Sequence, residues 1–93
     1  KKEIRTRMYK VEVGHRASKF MHKLDSPLQS LIVRKLRELE QDPRPAGYKR
    51  VQGYKDFYRV RCVDYRIVYT IRDTQLLVLV IQIGHRRDVY RKI

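Results

Sequence analysis

The chain has 93 residues, 42% hydrophobic and 35% charged, and 23 Lys and Arg against 10 Asp and Glu leave a formal net charge of +13. That length holds one small domain; the composition excludes a disordered or collagenous chain, and a single cysteine excludes a scaffold stapled by internal disulfides. So much positive charge on one small domain points to a polyanionic partner: nucleic acid, an acidic protein or an anionic membrane surface.

Residues 1–7 are mostly charged and are read as a basic N-terminal extension or an expression remnant, with the domain proper at 8–93. They lack the apolar core of a signal peptide. Tyr9 to Val13 reads as a short strand with Val11 and Val13 on one face, broken by Gly14. Ala17, Phe20, Met21 and Leu24 fall at helical spacing. Asp25-Ser26-Pro27 stops that helix and opens a second, with Asp25 or Ser26 as cap and Pro27 in the first turn. Leu28, Leu31, Ile32, Leu36 and Leu39 form the apolar stripe of the second helix, opposite Arg34, Lys35, Arg37, Glu38 and Glu40. Asp42-Pro43-Arg44-Pro45 ends it, since the residue before a proline disfavours helix. A basic loop with Lys49 and Arg50 follows.

The last third alternates with period two. Phe57 to Cys62 and Tyr65 to Arg72 read as strands joined at Val63-Asp64. Leu76 to Ile83, apolar on both faces, reads as a central strand after a turn at Asp73-Thr74. Its longest unbroken apolar run, Leu76 to Ile81, is too short to cross a bilayer, and a cytoplasmic protein is expected. Gly84 is read as the strand's end, with a basic tail from His85 to Ile93 that suits a short helix. The predicted order is β-α-α-β-β-β plus tail: an α+β domain with a helical hairpin on one face of a twisted antiparallel sheet of about four strands.

Parity places the arginines. If Cys62 opposes Tyr65, Arg61 opposes Arg66 and Arg59 opposes Val68, and directly opposed side chains share a face. Arg59, Arg61 and Arg66 then project from one side of the sheet, and Tyr58, Val60, Tyr65, Ile67 and Tyr69 from the other, towards the helices. Like charges opposed on a sheet destabilise it, whereas guanidinium forks grip phosphate oxygens. A phosphate-binding face explains the pattern; a solvated positive edge kept for solubility is the alternative. The tail adds His85, Arg86, Arg87 and Tyr90, enough cations and proton carriers to handle a phosphodiester, and also the composition of a plain charged helix. His15 and His22 have no partners at ligand spacing, so no metal is expected, and Cys62 is read as a buried structural thiol.

The blocks Phe57-Tyr58-Arg59-Val60-Arg61-Cys62-Val63-Asp64-Tyr65-Arg66-Ile67-Val68-Tyr69 and Ile83-Gly84-His85-Arg86-Arg87-Asp88-Val89-Tyr90 resemble the RelE/ParE toxin superfamily of type II toxin–antitoxin modules, its RelE branch in particular. The resemblance runs from about Tyr9 to Tyr90. It implies a microbial-ribonuclease-like fold and a metal-independent, cofactor-free endoribonuclease that cuts mRNA in the ribosomal A site by attack of a 2′-hydroxyl on the adjacent phosphate. It assigns catalytic roles to Arg66, Arg86 and Tyr90 and backbone binding to Arg59 and Arg61; His85, just before Arg86, is read as a catalytic proton carrier although many ribosome-dependent members work without a catalytic histidine. Arg87 joins these as a further phosphate-binding cation. Lys49 and Arg50 are placed against ribosomal RNA, or form a merely solvated loop. The implied partners are mRNA, the 70S ribosome and a cognate acidic antitoxin in a heteromeric complex. One departure stands out: many members carry glycine where this chain has Val63. The alternatives are a non-catalytic ParE-like toxin that poisons DNA gyrase, which usually lacks the full arginine and tyrosine set, and a plain nucleic-acid-binding module.

Overall fold

The computed structural model describes residues 8–92, so the reading of residues 1–7 as an extension lies outside the described residues. The Asp25 carboxylate accepts the Leu28 N–H at 3.3 Å, and Pro27 sits in the first turn, where its missing N–H leaves no bond unmade. The helix so started, α2 (Ser26–Gln41), buries Ile32, Leu36 and Leu39. Before it come the strand β1 (Lys10–Val13) and the helix α1 (His15–His22), which buries Ala17. After it come β2 (Lys49–Arg50), β3 (Tyr58–Cys62), β4 (Tyr65–Arg72), a 3₁₀ turn (Asp73–Gln75), β5 (Leu77–His85) and a final 3₁₀ turn (Val89–Lys92).

The five strands form one sheet in the order β1-β5-β4-β3-β2. The meander β3-β4-β5 is antiparallel as expected. The predicted sheet of about four antiparallel strands is corrected in two places. β1 lies parallel on β5, with Val11 opposite Val78, a pairing between chain ends that no local pattern announces. A fifth strand, β2, adds two residues at the edge of β3, too few to show a period. The tail forms a short helix as expected, of the 3₁₀ kind, and β5 runs through Gly84 to His85 instead of closing at Gly84.

Cores lie on both sides of the sheet. On the helix side Ile32, Leu36 and Leu39 pack with Val60, Ile67 and Tyr69, and Cys62 is buried among them, as expected of a structural thiol. On the other side a smaller cluster joins Val51, Val68 and Val89 with partly buried Phe57 and Ile81. That cluster holds the final 3₁₀ turn against the sheet. Gly84 allows the close approach: a Cβ there would stand 3.3 Å from Val89 Cα and Cβ. Among the described residues no helix is long and apolar enough to cross a membrane.

Candidate active site

The turn between β3 and β4 has two residues, so Cys62 opposes Tyr65, Arg61 opposes Arg66 and Arg59 opposes Val68, as parity predicts. Val68 belongs to the smaller cluster, away from the helices, which fixes the side on which Arg59, Arg61 and Arg66 stand. Arg66 is only 9% exposed. One guanidinium nitrogen donates to its neighbour's carbonyl, Tyr65 O, at 3.1 Å. Burial, first, and then the Arg61 charge push the Arg66 guanidinium below its ordinary value; the Tyr90 phenol acts the other way, and Arg59 and Arg86 add to the downward push. Arginine stays charged through such a shift.

Four cations therefore converge with one phenol. Arg59 and Arg61 come from β3 and Arg66 from β4. Arg86 follows β5, where its backbone N–H donates to Asp64 O at 2.8 Å and ties the tail to the β3–β4 turn. Tyr90 comes from the final 3₁₀ turn, carried there by buried Val89. Among the described residues no carboxylate forms an ion pair with Arg59, Arg61, Arg66 or Arg86; the ion pairs present are Lys10–Glu12, Lys35–Glu38, Arg44–Asp73 and Arg91–Asp88. A buried cation without an anion is costly, and a phosphate arriving at this face offsets that cost.

His85 stands elsewhere. Because β5 continues past Gly84, the alternation continues too. His85 opposes Tyr65, on the helix side, while Gly84 opposes Arg66. The imidazole meets the Tyr65 ring edge-on at 5.9 Å, and its Nδ1 accepts the Arg87 N–H at 3.3 Å. The expectation that His85 carries protons for the arginine cluster gains no support from this placement, opposite Tyr65 and not beside Arg66. Arg87 is exposed on the turn that follows. Lys49 opposes Arg59, and Arg50 opposes Tyr58 while donating to Lys55 O at 2.6 Å.

Beside the cluster a cleft of about 360 Å³ is lined by Arg50, Val51, Gln52, Tyr54, Arg59 and Tyr90. Gln52 and Tyr54 escaped the sequence reading; their only signal is the turn glycine between them with an aromatic on its far side. Among the described residues no three His, Cys, Asp or Glu side chains gather as a metal site.

Residues 11–90 match the family described as the ParE toxin of the type II toxin–antitoxin system parDE. Over 86 residues the chain is 34% identical to the mRNA interferase toxin RelE of Escherichia coli K12, covering 88% of this chain and 90% of that one. The crystal structure of the intact E. coli RelBE toxin–antitoxin complex aligns with a TM-score of 0.72 at 33% identity, over 83% of this chain and 95% of that chain. The toxin–antitoxin complex RelBE2 of Mycobacterium tuberculosis, at 24% identity, shares the fold with a TM-score of 0.77 over 87% of this chain and 94% of that chain.

Proposed function

The chain belongs to the ParE toxin family of type II toxin–antitoxin systems, and we propose that within it this protein is an endoribonuclease that cuts mRNA in the ribosomal A site. The observation that carries the reading is Arg66, a nearly buried guanidinium with no carboxylate partner among the described residues, facing Arg59, Arg61, Arg86 and Tyr90 on the open side of the sheet. The RelE relative named for mRNA cleavage supports it.

In the proposed step the 2′-oxygen bonds to the adjacent phosphorus and the bond to the 5′-oxygen breaks. The products are a 2′,3′-cyclic phosphate and a 5′-hydroxyl; the attacking hydroxyl releases a proton and the leaving oxygen takes one up. Arg59 and Arg61 hold the backbone and favour the 2′-oxyanion. Arg66 stabilises the added charge on the pentavalent phosphate, and Arg86 the charge on the leaving oxygen. Tyr90 stacks on a base. Arginine does not give up its proton, so the protein's contribution is electrostatic, from cations set in place before substrate arrives. With four guanidiniums gathered around the scissile phosphate, the protein itself needs no metal ion for this step. His85 has no step. An acidic antitoxin neutralises the toxin by covering the basic surface, in keeping with the RelBE complexes among the similar structures.

The test is single-turnover cleavage of a defined message on programmed 70S ribosomes, mapped by primer extension. A-site cuts are expected from the wild type, with a loss on the order of 10²-fold or more for Arg66→Ala and for Arg86→Ala. Equal cutting of the message without ribosomes would retire the ribosome requirement. The ParE description of the matching family favours a second reading, gyrase poisoning by binding. No cutting by folded protein, together with inhibition of gyrase supercoiling, would establish that reading instead.

A further inference from the structure

The cleft beside the arginines is built more rigidly than a solvated loop requires. Val51, at its base, is buried in the smaller cluster, and its N–H donates to Phe57 O at 2.9 Å. The Tyr54 N–H closes a four-residue turn on Val51 O at 3.2 Å, with Gly53 at the third position and a φ of 87°. That positive φ suits glycine and not a side-chain-bearing residue. Arg50 closes the loop from the other side through Lys55 O. The Tyr54 ring lies parallel to Phe57, 5.4 Å between centroids and 7° between planes, so its orientation is set before any ligand arrives. Two tyrosines face one cleft, Tyr54 at 38% exposure and Tyr90 at 36%, with Gln52 two residues before Tyr54 on the same turn and no acidic side chain in the lining. The volume falls in the range of small-ligand sites.

We propose that this cleft is a nucleobase slot that selects adenine beside the scissile phosphate, with Tyr54 and Tyr90 as its aromatic walls and Gln52 as the reader of the base edge. The inference rests on the nuclease reading above. Arg59 belongs both to the cleft and to the arginine cluster, so a strand whose backbone lies on the arginines delivers a neighbouring base to the slot. Single-stranded RNA is read by splaying bases onto aromatic rings and bonding their edges. A carboxamide offers one donor and one acceptor side by side. On the Hoogsteen edge that pair complements N7 and the N6 amino group of adenine, and mismatches the two acceptors, O6 and N7, of guanine. Tyr54 and Gln52 are specificity residues here; the chemistry stays with the arginines.

Two measurements test this. First, a short RNA with 2-aminopurine at successive positions, and 2′-deoxyribose at the cut so that it stays intact, is titrated with wild-type protein, Tyr54→Ala and Tyr54→Phe. Stacking quenches 2-aminopurine, so one position is expected to quench with the wild type and with Tyr54→Phe, and to bind about tenfold more weakly with Tyr54→Ala. Second, messages differing only in the bases flanking the cut are cleaved on programmed ribosomes. The wild type is expected to favour adenine at one position by about tenfold, and Gln52→Leu to lose that preference while still cutting. Absence of quenching at every position overturns the slot whatever the cleavage assay shows. Unchanged base preference in Gln52→Leu, with Arg66→Ala inactive, overturns the adenine reader and leaves the nuclease reading standing. Quenching without cleavage by the wild type fails the nuclease reading and keeps the slot.

Discussion

Val63 carries a left-handed φ of 57° in the turn that sets the pairing of Arg61 with Arg66. A β-branched side chain in that conformation is strained by about 1–2 kcal/mol, and glycine is not. Glycine also loosens the unfolded chain, which offsets part of the gain. Val63→Gly is therefore expected to raise stability by about 0.5–1 kcal/mol, read as a higher urea midpoint at unchanged slope, and to leave cleavage unchanged. A lower midpoint would show that the turn relies on the Val63 side chain. The same turn explains why the arginines were legible in sequence. A two-residue connection leaves one parity, and parity alone puts Arg59, Arg61 and Arg66 on one face. The side on which His85 stands was not legible for the matching reason: with Gly84 taken as the end of the strand, its orientation had no rule to follow, and the ladder in fact continues to His85 opposite Tyr65.

At the scale of elements, one exposed knot ties three connections together. The Tyr9 hydroxyl donates to Asp73 Oδ1 at 2.6 Å, and Arg44 grips the same carboxylate through two nitrogens at 3.1 and 2.8 Å. Tyr9 leads into β1, Arg44 follows α2, and Asp73 opens the turn into β5. Nearby, the buried Tyr69 hydroxyl donates to Pro43 O at 2.7 Å, and burial raises its pKa. The Arg44 and Tyr9 hydrogen bonds hold the Asp73 carboxyl well down, at about 2. A carboxyl whose folded pKa lies below its unfolded value stabilises the fold above the unfolded value, and that contribution disappears as pH falls through the folded one. The wild type should thus lose stability between about pH 4 and pH 2 more steeply than Asp73→Asn, in thermal melts across that interval. Parallel curves for the two proteins would remove Asp73 from the acid limb. The helical hairpin was legible because its caps and stripes are local. The parallel pairing of β1 with β5 was not, because its partners are more than sixty residues apart. The step in register between Val68 and Tyr69 was equally hidden, since β5 is apolar on both faces there and gives no alternation to interrupt.

For the molecule as a whole, the net charge of +13 announces an anionic partner without saying where it lands. Basic residues cover both sides: Lys19, Arg34 and Arg37 lie on the helices, the arginine cluster on the open face of the sheet. Convergence separates the two. The open-face arginines crowd around Arg66, which feels the charges of Arg61, Arg59 and Arg86. Short single-stranded RNA should follow the clustered charge. Each phosphate neutralised on a single strand lowers the slope of log K against log salt by about 0.7, so four contacts, from Arg59, Arg61, Arg66 and Arg86, give a slope of about −3 for a short oligonucleotide. Arg66→Ala should make that slope shallower by about 0.7, and Arg34→Ala, on α2, should leave it unchanged. The comparison is made by fluorescence anisotropy between about 50 and 200 mM salt, where such slopes are resolved. A slope shared equally between Arg66→Ala and Arg34→Ala would mean that RNA is held by the overall field of the protein and not by one face. A slope carried by Arg66 alone of the two would tie the strand to the side of the sheet where the cleft lies. Charge on the helices would then be left for a larger partner able to reach both sides, as a ribosome is.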